Sequence, residues 1–182
     1  MIFWKYQGTG NDFILIDNWS GEIQLQSQQI QFMCDRKFGI GSDGLILIQK
    51  SEKADFHMEF FNPDASQSFC GNGSRCASAF AYRIGIADKA IRFTAIDGLH
   101  NGFILSEELV EVSMKNVDKL KFNNEDLILN TGSPHFVRFI DDLSKEDIIA
   151  RGKEIRYSDE FAKEGINVNL VEVLDPTLLN CA

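Results

Sequence analysis

At 182 residues, with 44% hydrophobic and 25% charged side chains, the chain has the balance of a globular protein, with room for one large domain or two small ones. Its 18 Lys and Arg against 27 Asp and Glu leave a formal charge of -9, and no basic run is interleaved with aromatics, so no nucleic acid is expected as a partner. No stretch approaches the roughly 18 consecutive apolar residues of a membrane span. The opening "MIFWKYQGTGNDF" is not a charged leader followed by an apolar run, and a cytoplasmic protein without membrane contact is expected.

The first elements predicted along the chain are strands: "MIFWKYQ" and "DFILIDN" are short aromatic and β-branched runs separated by the turn "GTGN". Ser27 is the expected N-cap of a helix through "QQIQFMCDRKF", and "GLILIQK" and "DFHMEFF" return to strand composition. From Gly73 to about Ile86, small and apolar residues spread over most of the circumference of a predicted helix, the pattern of a helix enclosed on nearly all sides. Then follow "AIRFTAI", the turn "DGLHNG", "FILS" and "LVEVSMK", readable as antiparallel hairpin strands. The polar stretch "NVDKLKFNNED" reads as a connection and places a domain boundary near residues 115–120, giving domains 1–117 and 118–182. Beyond it, strands are expected at "LILNT", "HFVRFI" and "INVNLVEVL", with a helix capped by Ser144 through "KEDIIARGKEI". So short a second domain is expected to be incomplete, its remainder lying downstream of "LDPTLLNCA".

Four cysteines, Cys34, Cys70, Cys76 and Cys181, show no C-x-x-C spacing, so free thiols are expected. Three scattered histidines, His57, His100 and His135, support no metal site. "FGIGSDG" holds a literal G-x-G-x-x-G in Gly39, Gly41 and Gly44, but a helix precedes it and a strand follows. That order is the reverse of a dinucleotide-binding turn, and a tight helix-to-strand connection is expected instead.

"FCGNGSRC" differs, because its glycines lead into a helix whose opening N–H groups and positive dipole end suit an anion. Gly71, Asn72 and Gly73 are placed to hold a carboxylate, and the same dipole is expected to lower the Cys70 thiol toward neutrality. The alternative is that Cys70 is a small buried hydrophobe, as most free cysteines are. Cys76, six residues on, points away from Cys70 on helical geometry and is assigned to the core, as is Cys34. Asn62 in "NPDAS" is either an ordinary turn residue or a ligand of the same pocket, and Asn11 after "GTG" has the same two readings. Ser133 and His135 in "TGSPHFV" flank a proline at a strand start, where His135 either tunes a thiol or caps the strand.

In this order and spacing, "KYQGTGNDF", "GIGSDGLILI", "FFNPDASQSFCGNGSRC", "TGSPHFV" and "GINVNLVEV" resemble the diaminopimelate epimerase family. The resemblance implies an α+β fold of two similar β-rich domains, each a mostly antiparallel, barrel-like sheet around a central helix, with the active site in the cleft between them. It implies an isomerase without pyridoxal phosphate or other cofactor and without a metal, interconverting LL- and meso-diaminopimelate for lysine and peptidoglycan synthesis. Two cysteines on opposite faces of the α-carbon exchange its proton, and Cys70 matches the one that acts as thiolate. Asn11, Asn62 and Asn167 are implied to bind the substrate, with Gly71 and Asn72 supplying backbone donors and His135 adjusting thiol protonation. Ser133 stands where the family commonly has Asn, so its contact is either made by a shorter hydroxyl or lost.

The second cysteine-glycine block of the family is absent from these residues, and Cys181 has no glycine after it. The chain thus reads as an epimerase cut short within its second domain or altered in its last residues, expected to be inactive or nearly so and self-associated as a homodimer or larger. The competing readings are a non-catalytic amino-acid-binding remnant and a related amino-acid racemase or isomerase.

Overall fold

The runs "FILI" and "LILI" are apolar at every position, where a strand facing water on one side would alternate. In the computed structural model, which describes residues 1–182, these runs lie in β2 (Asn11–Asp17) and β3 (Gly44–Gln49), paired in parallel at the middle of a mixed sheet and covered on both faces. Phe13, Leu15, Ile46 and Ile48 enter one core, and Ile14, Ile16, Leu45 and Leu47 the other. The sheet has seven strands in sequence order: β1 (Trp4–Gly8), β2, β3, β4 (Phe56–Phe61), β5 (Ala90–Ala95), β6 (Gly98–Ile104) and β7 (Val110–Val112). Pairing is antiparallel except at β2–β3 and β4–β5.

Helix α1 (Ser27–Cys34) covers the second core through Ile30, Met33 and Cys34. Its N-cap is Gln26, reciprocated by Gln29, and Ser27 is the first helical residue instead of the cap. The helix stops before "DRKF" because the Asp35 carboxylate accepts from the amides of Lys37 and Phe38, each at 2.7 Å, and draws the backbone into a turn. The connection to β3 is then tight enough to require its glycines. A Cβ on Gly39 would lie 1.8 Å from the Phe32 carbonyl oxygen, and Gly41 has φ +80°.

Helix α2 (Gly71–Arg83) sits in the curl of the sheet and packs against β1, β2, β3, β4, β6 and β7. Gly73, Ser74, Ala77, Ser78 and Ala81 are small enough to let strands approach, while Phe80 fills the space beneath Trp4 and Tyr6, with ring centroids at 4.8 and 5.8 Å. Full burial of such a ring contributes about 2–3 kcal/mol. The helix begins two residues before the expected Gly73 and ends at Arg83. "DGLHNG" is not one turn: only its first residues reverse the chain, and Gly98–Gly102 belong to β6, paired with β5.

Met1–Met114 form one compact unit and Lys115–Ala182 another. The second has a five-stranded sheet ordered β12 (Leu178–Cys181), β11 (Asn167–Asp175), β10 (Pro134–Ile140), β9 (Asp126–Asn130), β8 (Lys121–Asn123). β8 arises within the stretch read as a connection, turning into β9 at Asn124, whose φ is +57°. β10 and β11 are parallel, joined through α3 (Ile148–Arg156), whose Ile155 packs with Phe136 and Ile166. The N-cap of α3 is Asp147, accepting from Ala150 N, while Ser144 lies in a preceding 3-10 turn capped by Asp142. No helix is long and apolar enough to cross a membrane.

Candidate active site

Cys70 is the N-cap of α2. Its sulfur accepts from the Gly73 amide at 3.3 Å, and its carbonyl accepts from Ser74 N at 2.8 Å. No acidic residue lies in the first helical turn, and the carboxylate that does act on Cys70 is Asp43, whose charge disfavours a thiolate there only weakly. Burial pushes the half-buried Cys70 thiol above its ordinary value, and the Gly73 and Asn72 amides, with the Arg75 charge, pull it back only in part. The expected shift toward neutrality is therefore reversed, because desolvation of the half-buried sulfur outweighs two amides and the Arg75 charge.

Asn72 ties this helix start to the β1–β2 turn. Its Nδ2 donates to Asn11 Oδ1 at 2.9 Å, and its Oδ1 accepts from Thr9 Oγ1 and from Arg75, each at 2.9 Å. Two residues predicted as separate candidates, Asn11 and Asn72, are thus directly bonded beside Cys70. Gly8 must lack a side chain for this closeness, since a Cβ would stand 3.2 Å from both the Asn72 carbonyl oxygen and Cys76 Sγ. Asn62 donates to Ser66 and to Ser68 Oγ, the latter at 3.1 Å, pinning its loop two residues ahead of Cys70. Cys76 is 3% exposed within the core, and burial drives its thiol up to about 11. Cys34 is buried and accepts from Ser42 Oγ, and burial pushes it up too.

An ionic chain behind Asn11 went unread in the sequence. Asn11 Nδ2 donates to Asp43 Oδ2 at 3.2 Å, and Arg36 bridges Asp43 and Asp12 at 2.7 Å each, with Lys5 also on Asp12. Arg36, then Lys5, hold Asp12 far below the usual carboxylate range. A carboxylate lowered on folding stabilises the native state above its unfolded value near 4, and that stability drains away as pH falls toward the folded value. Asp12→Asn is expected to flatten the acid limb of urea-unfolding stability below about pH 4, at a cost of about 1 kcal/mol at neutral pH, a size set by the partial exposure of the pair.

In the second unit His135 and Asn167 face each other across β10–β11, and Asn167 Nδ2 donates to Pro134 O at 3.2 Å. Asn169, unremarked in "NVN" although two residues on in a strand shares a face, places Nδ2 at 3.1 Å from His135 Nδ1 and 3.0 Å from the Phe136 carbonyl. That carbonyl orients the amide as donor, so His135 Nδ1 is the acceptor. Ser133 is half-buried in the turn entering β10, after Gly132 at φ +113°. No group of three His, Cys, Asp or Glu side chains is assembled for a metal.

Residues 3–120 match the diaminopimelate epimerase family. The chain belongs to the diaminopimelate epimerase family. It is 46% identical to the diaminopimelate epimerase of Flavobacterium psychrophilum, a match covering 97% of this chain and 70% of that one. To the Aquifex aeolicus diaminopimelate epimerase it is 38% identical over 94% of this chain and 69% of that one. Among solved structures, the fold is shared with a Bacillus anthracis phenazine biosynthesis protein of the PhzF family, at TM-score 0.66 and 14% identity, covering 98% of this chain and 70% of that one. It is shared too with a probable proline racemase from Agrobacterium radiobacter, at TM-score 0.61 and 11% identity, covering 98% and 68%.

Proposed function

We propose that this chain carries one catalytic half of a cytoplasmic, cofactor-independent isomerase that epimerises diaminopimelate between its LL and meso forms in lysine biosynthesis, with Cys70 carrying one of two protons. The observation that supports this most is the half-buried Cys70 sulfur at the entrance of α2, with the Gly73 amide upon it and the Asn72–Asn11 pair alongside. An α-carbon beside a carboxylate is a weak acid, and without an electron sink its carbanion must be met by fixed dipoles. Gly71 and Asn72 at the helix end are assigned to the substrate carboxylate, and Asn11 and Asn62 to its polar groups. In the second unit the proposal assigns Ser133 and Asn167 to substrate contacts and His135 to thiol protonation.

An epimerisation runs in both directions, so the group that gives a proton in one direction removes it in the other. With its thiol raised, Cys70 rests as the proton donor and acts as base in the direction where a thiolate is generated. Cys34 and Cys76 are buried and Cys181 lies on the exposed β12, so none of these has the setting of a second proton carrier.

The 182-residue chain, incubated with diaminopimelate in deuterated water, is expected to wash deuterium slowly into one stereoisomer at the α-carbon, with little inversion, and to ignore a panel of other amino acids. Rapid inversion would refute the one-carrier assignment, exchange of proline or another amino acid would refute the substrate, and tight binding without exchange would mark a binding module. The chain is also proposed to self-associate, since Leu178 and Leu179 on edge strand β12 are each more than half exposed. Analytical ultracentrifugation should show a dimer or larger species, and a clean monomer would count against it.

A further inference from the structure

His100 takes no part in the proposed chemistry, yet it is 4% exposed and meets an acceptor at each ring nitrogen. Nδ1 lies 3.0 Å from the Ser113 carbonyl oxygen, and Nε2 lies 2.9 Å from Asp97 Oδ1. A carbonyl only accepts, so Nδ1 carries a proton and donates to Ser113, which turns Nε2 toward Asp97. The ring is also the second member of a column of four nearly parallel rings. Phe69 stacks on it at 4.3 Å and 3°, Phe93 on its other face at 5.2 Å and 15°, and Phe56 on Phe93 at 5.4 Å and 8°. Asp97 is the charged group on the ring; Phe93 of β5, Phe69 and Ser113 present no charge to it.

The two groups that His100 holds flank the entrance of α2 on both sides. Phe69 is the residue before Cys70. Ser113 precedes Met114, whose Sδ and Cε lie 3.6 and 3.5 Å from where a Cβ on Gly71 would be. We propose that His100 is a positioning residue for Cys70, fixing through Phe69 and Ser113 the backbone on which the Gly73 and Asn72 amides meet the sulfur. This deepens the reading of Cys70 as a proton carrier and rests on it.

Long-range proton–nitrogen NMR of the full chain labelled with nitrogen-15, with the signals assigned by their loss in His100→Gln, is expected to show the ring proton on Nδ1. A ring with a bare Nδ1 would overturn the proposal. Asp97→Asn is expected to loosen the ring and to slow iodoacetamide alkylation of Cys70 about tenfold at fixed pH, as its alkylation midpoint rises by the equivalent of one lost hydrogen bond to the sulfur. Phe69→Leu, which keeps apolar bulk but not a flat face, should give a loss of similar size. Unchanged Cys70 alkylation in variants that unfold cooperatively at wild-type temperature would overturn the positioning role. Because neither readout requires turnover, a chain with the Nδ1 proton and the alkylation effect but no α-proton exchange would refute the epimerase reading alone.

Discussion

Cys70→Ala is expected to reduce α-proton exchange on diaminopimelate by about a thousandfold or more, the scale of a lost general acid–base group at a carbon acid. The substitution also removes the sulfur that accepts from Gly73 N at the helix start, costing about 1 kcal/mol of stability. Cys70→Ser separates the two effects. A hydroxyl caps a helix at least as well, so this variant should unfold with the wild type, yet its far weaker acidity should leave exchange nearly as low as in the alanine variant. Exchange near the wild-type rate in folded Cys70→Ser would end the assignment.

The pH dependence follows from the site's closure. Burial disfavours the thiolate, so the midpoint of Cys70 alkylation should lie above that of an ordinary thiol, and proton removal by Cys70 should speed up as pH rises through neutrality. A midpoint below the ordinary value would mean that the helix amides dominate after all.

Gly39→Ala is expected to destabilise the first unit by about 3 kcal/mol or more, among the larger costs of overpacking. The methyl would sit 1.8 Å from a backbone oxygen, that of Phe32, and 3.0 Å from the Asp35 oxygen, neither of which can swing aside as a side-chain tip would. The connection from α1 would have to open, pulling Met33 and Cys34 off β3. Urea unfolding should show a lower midpoint with an unchanged slope. A nucleotide-binding glycine would behave oppositely, tolerating a methyl in the apo fold, so a wild-type midpoint would revive the reading the local order of elements rejects.

Much of this was legible in the residues because local chemistry and tertiary context agree. The helix entrance beside Cys70, the enclosed helix and the apolar strand runs all follow from side-chain size and polarity along short stretches. Where they diverge, the reading failed in specific ways. Burial of a sulfur is a property of what surrounds it, so the direction of the Cys70 shift could not be taken from the helix dipole alone. Asp-Gly and Asn-Gly are turn formers, but in "DGLHNG" pairing with β5 carried Gly98–Gly102 into a strand. Ser144 has cap chemistry, yet two aspartates, Asp142 and Asp147, divide the capping there between a 3-10 turn and α3. The Arg36–Asp43–Asn11 chain joins residues far apart in sequence, for which spacing carries no signal.

The two central strands bury apolar side chains on both faces, so alternation cannot tell them how to align: sliding β3 by one residue along its neighbours would still put hydrocarbon everywhere. Shape decides instead. Gly44 sits across from Phe13, and a Cβ there would fall 2.5 Å from the Phe60 ring, so the notch left by its missing side chain admits that ring at a single offset. One absent methyl thereby acts as the detent that indexes the sheet, and Cys70 owes its place over β2 and β3 to it.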